Sequence, residues 1–256
     1  VKNAGFRYHD HMIPLAGLVQ RSPDQVERYL ELWGQGFRDA GIDLVTSYAG
    51  LANHEHFVTR NETALRNAFE KIKNHFPSLR ILTTNPDPLP DGDRKDQTML
   101  QAQADDLAHF ARILSDYGVS LSLHFHTPEL RDDARELHFL LQRLDPEILK
   151  LTFDVNWCLR GGYSINKMLD QYQSRIDVVH VRSSTSGVWN PVLNSGDEQV
   201  DQVLARLWAD GRPRVHVIEL ANESRMETKL DLTERLRVSR EQLEDWSQAF
   251  DRSATR

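Results

Sequence analysis

Four side chains able to hold a metal ion recur at intervals of about one strand and one helix. The stretch Val119 to Glu129, VSLSLHFHTPE, reads as a short strand ending in His124, His126 and, just past it, Glu129. Three later strand-like runs, LKLTFD, IDVVHV and VHVIEL, place Asp154, His180 and Glu219 near their C-terminal ends. Glu129, Asp154, His180 and Glu219 stand 25, 26 and 39 residues apart in turn, the last gap long enough for an added loop. Carboxylates with one imidazole suit Mn²⁺, Mg²⁺, Co²⁺ or Zn²⁺, and no thiolate demands a softer ion. The four read as one site for one divalent metal.

Each residue alone has a plainer explanation. A lone strand histidine such as His124 or His180 is more often a packed, hydrogen-bonded core residue. Asp154 ends a buried apolar run and would serve as the cap of the next turn. Glu129, after Thr127-Pro128, is also a first-turn acid favoured by the helix dipole. Glu219 differs, because inside VHVIEL an unpaired carboxylate is costly and calls for a metal or a cation. The joint pattern raises all four.

The elements that must position them alternate. A first strand is expected near Phe6–His9. Ser22-Pro23 with Gln25 makes an N-cap, first helical residue and weak capping box, and Gly41 stops that helix. Strands are expected at 42–48, 80–84, 119–124, 149–154, 176–182 and 214–220. Helices fall near 65–76, 97–117, 130–143, 164–173, 198–210 and 238–250, with apolar residues at helical spacing. The loop AGLANHEHF holds His54 and His56, NPDPLPDGD is turn material, and STSGVWNPVLNSGDE is a long loop with a brief extra strand near 188–192. Alternation of this kind means a parallel sheet with helices outside. No G-x-G-x-x-G follows the first strand and no P-loop is present, so the nucleotide-binding open sheet lacks its marker. A single (β/α)8 TIM barrel over residues 1–256 fits the length, although only seven strands are clear.

Bulk properties narrow the classes. Net charge is −7 with Lys and Arg scattered, which argues against nucleic acid or a membrane surface as partner. The single cysteine, Cys158, rules out an intramolecular disulfide framework and fits a reducing compartment. No apolar run approaches the roughly 18 residues of a spanning helix. No signal-peptide core is evident either, so the cytoplasm is the expected location.

The order LHFH..E, FDVNW, RI.VVHVR and VIEL resembles the xylose-isomerase-like TIM barrels, a superfamily of sugar isomerases and epimerases that includes abasic-site nucleases. RIDVVHVRSS resembles that family's R-I-x-x-V-H-x-K-D strand, and SGDEQVD its G-x-G-x-x-D approach to the next helix. The likeness covers about residues 100–222. It implies that Glu129, Asp154, His180 and Glu219 ligate one divalent ion, with Mn²⁺ the first choice. Many members carry the first glutamate on the strand itself, where this chain has His124, so His124 and His126 remain alternatives to Glu129. Arg182 and Ser183 stand where Lys and Asp are common. Trp157 takes the place of the histidine in the nucleases' D-x-x-H, which disfavours a nuclease.

The implied chemistry is proton transfer next to the carbonyl of a keto-sugar or related polyol. Glu219 and Glu129 would move the proton from opposite faces, with His126 as a further base. His124, Trp157, Arg160 and Arg182 would contact the substrate, and Trp189 offers a second aromatic face. An isomerase or epimerase is the first expectation. A lyase or dehydratase shares the same first half-reaction, with the histidines supplying the acid for the leaving group. A non-catalytic sugar-binding barrel is a third reading, and a homodimer is what the resemblance implies for assembly.

Overall fold

Local signals in the first third of the chain set its helices. Ser22 accepts from the Gln25 amide while the Gln25 side chain accepts from the Ser22 amide, a reciprocal cap that leaves Pro23 free to open the helix. That helix, Pro23–Ala40, ends at Gly41, whose φ of 62° is the left-handed stop. The computed structural model describes residues 1–51, 56–86, 88–89 and 92–254. His54 and part of the NPDPLPDGD loop lie outside the described residues. The chain divides into two compact units, residues 7–152 and residues 1–6 together with 153–256.

In the unit of residues 7–152 the strands are β1 (His11–Met12), β2 (Thr46–Leu51), β3 (Ile81–Pro86), β4 (Ser120–Leu123) and β5 (Lys150–Asp154), whose last two residues belong to the other unit. Neighbours pair in parallel in that order. The helices are α1 (Leu15–Leu18), α2 (Pro23–Ala40), α3 (Phe57–Arg60), α4 (Glu62–His75), α5 (Gln97–Ser115) and α6 (Arg131–Arg143). The expected first strand at 6–9 is instead an isolated bridge between Tyr8 and Asp43, and β1 begins at His11. Strand two is likewise displaced, from 42–48 to Thr46–Leu51. The apolar run after Gly41 is spent on approaching the sheet, with Leu44 buried before the ladder begins. The short helices α1 and α3 have too few residues to show a helical period.

The helices bury Leu30, Leu65, Phe69, Ile72, Leu107, Phe110 and Leu114, each worth about 1.5–3 kcal/mol relative to exposure. The sheet also buries a hydroxyl ladder. Thr152 on β5 donates to Ser122 on β4 at 2.8 Å. Its one proton being used there, Thr152 receives the Thr83 hydroxyl of β3 at 2.9 Å. Polar side chains thus tie three neighbouring strands.

In the second unit, α7 (Val155–Arg160) follows Asp154 directly, and α8 (Ile165–Tyr172) leads to β6 (Ile176–Val181). A hairpin of β7 (Ser184–Thr185) and β8 (Val188–Trp189) precedes α9 (Val200–Trp208), β9 (Val215–Ile218) and α10 (Leu232–Ala254). β6 and β9 pair in parallel, His180 opposite Val217 and Val181 opposite Ile218. The extra strand expected near 188–192 is the second arm of that hairpin. α10 starts six residues before the expected 238, because Asp231 and Glu234 form a reciprocal cap through each other's amides. Seven parallel strands stand among the described residues, and no described helix is long and apolar enough to cross a membrane.

Candidate active site

Three of the four expected ligands meet within residues 153–256. Asp154 is fully buried at the end of β5 and performs the capping role as well, its Oδ1 accepting the Trp157 amide at 2.7 Å to start α7. Its Oδ2 receives Arg182 Nη2 at 2.7 Å and lies 3.9 Å from His180 Nδ1. His180 stands on β6, and its Nδ1 is 2.9 Å from Glu219 Oε2. The Glu219 amide donates to the Val181 carbonyl at 3.1 Å, extending the ladder one residue past β9. Side chains two apart on a strand share a face, so His180 and Arg182 point the same way as their neighbour Glu219.

Two expectations change here. Glu219 is beyond the strand rather than inside it, and its side chain is 42% exposed. The apolar run VHVIEL is half-buried throughout, so the carboxylate is not sealed in a core. Arg182 is buried between acids, its Nη1 reaching Glu219 Oε1 at 3.2 Å as Nη2 holds Asp154. Burial pushes the Glu219 carboxyl up, but the hydrogen bond with His180 and the charge of Arg182 outweigh that and hold it below its ordinary range.

An aromatic and cationic wall adjoins these groups. The Arg182 guanidinium lies 5.0 Å from the Trp157 ring centre and 5.3 Å from that of Trp189. Arg160 stacks over Trp189 at 4.3 Å and donates to the Gly187 carbonyl. The two indoles meet edge to face, 6.2 Å apart. Beneath the wall is a network the sequence reading did not single out. Buried Glu198 accepts from the Ser184 amide at 2.8 Å, the Ser184 hydroxyl at 2.6 Å and Asn156 Nδ2, while Trp189 Nε1 donates to Asn156 Oδ1 at 2.8 Å. Gly196 is obligatory there, since a Cβ would lie 2.6 Å from both the Ser184 carbonyl and Glu198 Oε2, at a φ of +60°. The SGDEQVD motif carried this signal, because its glycine and acid are the two residues that close the loop.

The remaining candidates form a group within residues 7–152. His124 follows β4, its amide donating to the Thr84 carbonyl at 2.7 Å and its carbonyl accepting from Asn85 Nδ2 at 3.2 Å. Its ring meets Tyr48 edge-on and stands 4.6 Å from that of His126. Glu129 is 2% exposed; Oε2 accepts the His126 amide at 2.7 Å, and buried Oε1 has no hydrogen-bond partner among the described residues. A buried carboxylate oxygen without a donor is costly, and a cation would satisfy it. Just beyond, Asp132, Asp133 and Ala134 hold left-handed φ values in the first turn of α6, a conformation that stores strain.

The donors present fit a divalent ion. Each carboxylate has about four lone-pair sites, so Asp154 and Glu219 retain acceptor capacity beside Arg182. The set is oxygen with one imidazole, as hard or borderline cations require.

No family model matches the chain. Among solved structures, the xylose isomerase domain protein from Alicyclobacillus acidocaldarius subsp. acidocaldarius is 16% identical with a TM-score of 0.71, covering 98% of this chain and 91% of that one. The chain has the xylose isomerase-like TIM-barrel fold. Similar too are the IOLI protein with a binding zinc atom (15% identical, TM-score 0.68, 96% of this chain and 90% of that one) and a xylose isomerase-like TIM barrel protein from Mycobacterium smegmatis in complex with magnesium (15%, 0.67, 97% and 85%). The inosose dehydratase of Geobacillus kaustophilus is 32% identical over 82 residues, 32% of this chain and 27% of that protein. Inosose dehydratase 2 of Bacillus cereus is 28% identical over 92 residues, 36% and 31% respectively. The match thus spans under a third of each curated relative.

Proposed function

We propose that this chain is a divalent-metal-dependent enzyme that moves a proton next to the carbonyl of a keto-sugar or related polyol, as an isomerase or epimerase. The observation that carries the reading is the meeting of Asp154, His180 and Glu219 at the ends of β5, β6 and β9. These three would hold the ion with Glu129, or in its place His124 or His126. Mn²⁺ is the first candidate; Zn²⁺ and Mg²⁺, which neighbours of the same fold carry, and Co²⁺ are the others. When bound, the ion would supply a Lewis acid that draws electron density from the substrate carbonyl.

The side chains would do the rest. Glu219, held below its ordinary titration range, is ionised at neutral pH and is the first base. Glu129, whose Oε1 has no hydrogen-bond partner among the described residues, would exchange the proton on the other face, and His126 would relay it. Arg182 pairs with both Asp154 and Glu219, while Trp157, Arg160 and His124 would bind and orient the sugar. The chain would act as one barrel domain, residues 1–256, in the cytoplasm, as a homodimer by family likeness.

A second outcome, elimination of water after the same proton removal, is supported by the two inosose dehydratases. His126, beside His124, would then give its proton to the departing hydroxyl. Metal content of the purified protein tests the shared step. Wild type should carry about one divalent ion per chain, and Asp154→Ala and Glu219→Gln should lose most of it. Wild type that stays empty after soaking in Mn²⁺, Co²⁺ and Zn²⁺ would overturn the reading. Product masses from keto-sugars and a cyclic keto-polyol then separate the outcomes, retained formula meaning isomerase and loss of water meaning dehydratase.

A further inference from the structure

Arg235 is a buried cation with neutral partners only. It is 5% exposed in the first turn of α10, where the helix dipole disfavours positive charge. Its Nε donates to the Pro191 carbonyl at 2.7 Å, Nη1 to Asn222 Oδ1 at 2.7 Å, and Nη2 to the Ala221 carbonyl at 3.1 Å, with Met226 Sδ 3.7 Å away. No carboxylate pairs with it among the described residues, so the desolvation of its charge is offset by hydrogen bonds alone. One turn on, the Ser239 hydroxyl donates to the Arg235 carbonyl and accepts the Leu193 amide at 2.9 Å.

These anchors lie in two loops. Pro191 is two residues beyond Trp189, and Ala221 is two beyond Glu219. A planar fork reaching both fixes their relative register, which a flexible lysine ammonium does not. We propose that Arg235 is a positioning residue, clamping the Trp189 loop to the Glu219 loop so that the indole and the carboxylate keep their places. The inference rests on Glu219 being a metal ligand, as proposed above.

Hydrogen exchange by mass spectrometry on the full chain, with Mn²⁺ titration of the same samples, tests it. In Arg235→Lys, exchange over residues 188–193 and 219–226 should rise together by about tenfold or more. Mn²⁺ binding should weaken by about 10- to 100-fold, as when a partner that orients a ligand is lost. Asn222→Ala, at an exposed position, should loosen 219–226 alone and weaken Mn²⁺ binding less; it carries the test if the lysine variant does not fold. Loops that exchange as in wild type, or loosening spread equally over β6 and β9, would overturn the clamp. Should wild type take no Mn²⁺, it is the ligand role of Glu219 that falls, and the exchange pattern alone then judges Arg235.

Discussion

Replacing Arg182 by methionine removes the guanidinium that joins Asp154 and Glu219 while keeping an apolar stem against Trp157 and Trp189. Asp154 has no exposed side-chain surface, so its charge loses a buried partner at 2.7 Å. Breaking one side of such a pair costs about 3–5 kcal/mol. Glu219 is 42% exposed and its share is screened, so we take the low end, about 3 kcal/mol. For a chain of this length that corresponds to a fall in Tm of roughly 6–12 °C without metal. The ion and the guanidinium would neutralise the same carboxylates, so the variant should bind Mn²⁺ more tightly. Saturating Mn²⁺ at about 100 times Kd stabilises by about 2.7 kcal/mol; at a fixed concentration the gain should be larger in Arg182→Met than in wild type. Scanning calorimetry of metal-stripped and Mn²⁺-loaded samples reads both quantities. A variant as stable as wild type without metal would refute the ion-pair argument. A smaller Mn²⁺ gain in the variant would show that Arg182 orients the ligands rather than competing for their charge.

Other tests reach beyond that cluster. Burial, with the charge of Arg214 adding to it, pushes the His216 imidazole down to about 4, where Nε2 accepts from Trp208 Nε1 at 3.2 Å. Below pH 6.5 the unfolded chain takes up a proton that the folded one refuses. This contribution is therefore complete above that pH and lost on descent to about 4, on the order of 3 kcal/mol in all; urea midpoints should show the loss in wild type and a much flatter profile in His216→Gln. Gly196→Ala should destabilise by at least about 2 kcal/mol, since a strained φ and a clash with the Ser184 carbonyl act together; an unchanged urea midpoint would dispose of the close-approach argument. Burial pushes the Cys158 thiol up to about 12, so the native protein should resist iodoacetamide at pH 8 and react only once unfolded.

Much of this molecule is legible one residue at a time. Ser22, Pro23, Gln25 and Gly41 bound α2 without help from elsewhere, because caps and left-handed stops are satisfied within a few residues. That Asp154 and His180 stand near the C-terminal ends of their strands follows from period and punctuation, and alternation gives a parallel sheet with outer helices; chain length and the likeness of the strand-end motifs to a known family point to the barrel. Other features depend on partners far along the chain. Where β1 and β2 begin depends on which backbone groups find a neighbouring strand, which an apolar run does not disclose. That Glu219 stands half-exposed beside Arg182, and that Glu198 closes the loop under Trp189, are set by packing between segments 14 to 42 residues apart. Arg235 reads in sequence as one more surface charge on an amphipathic helix. Only the tertiary structure buries it against carbonyls 14 and 44 residues away, because hydrogen-bond partners are chosen by proximity in space, and side-chain chemistry in sequence records only what each group could accept.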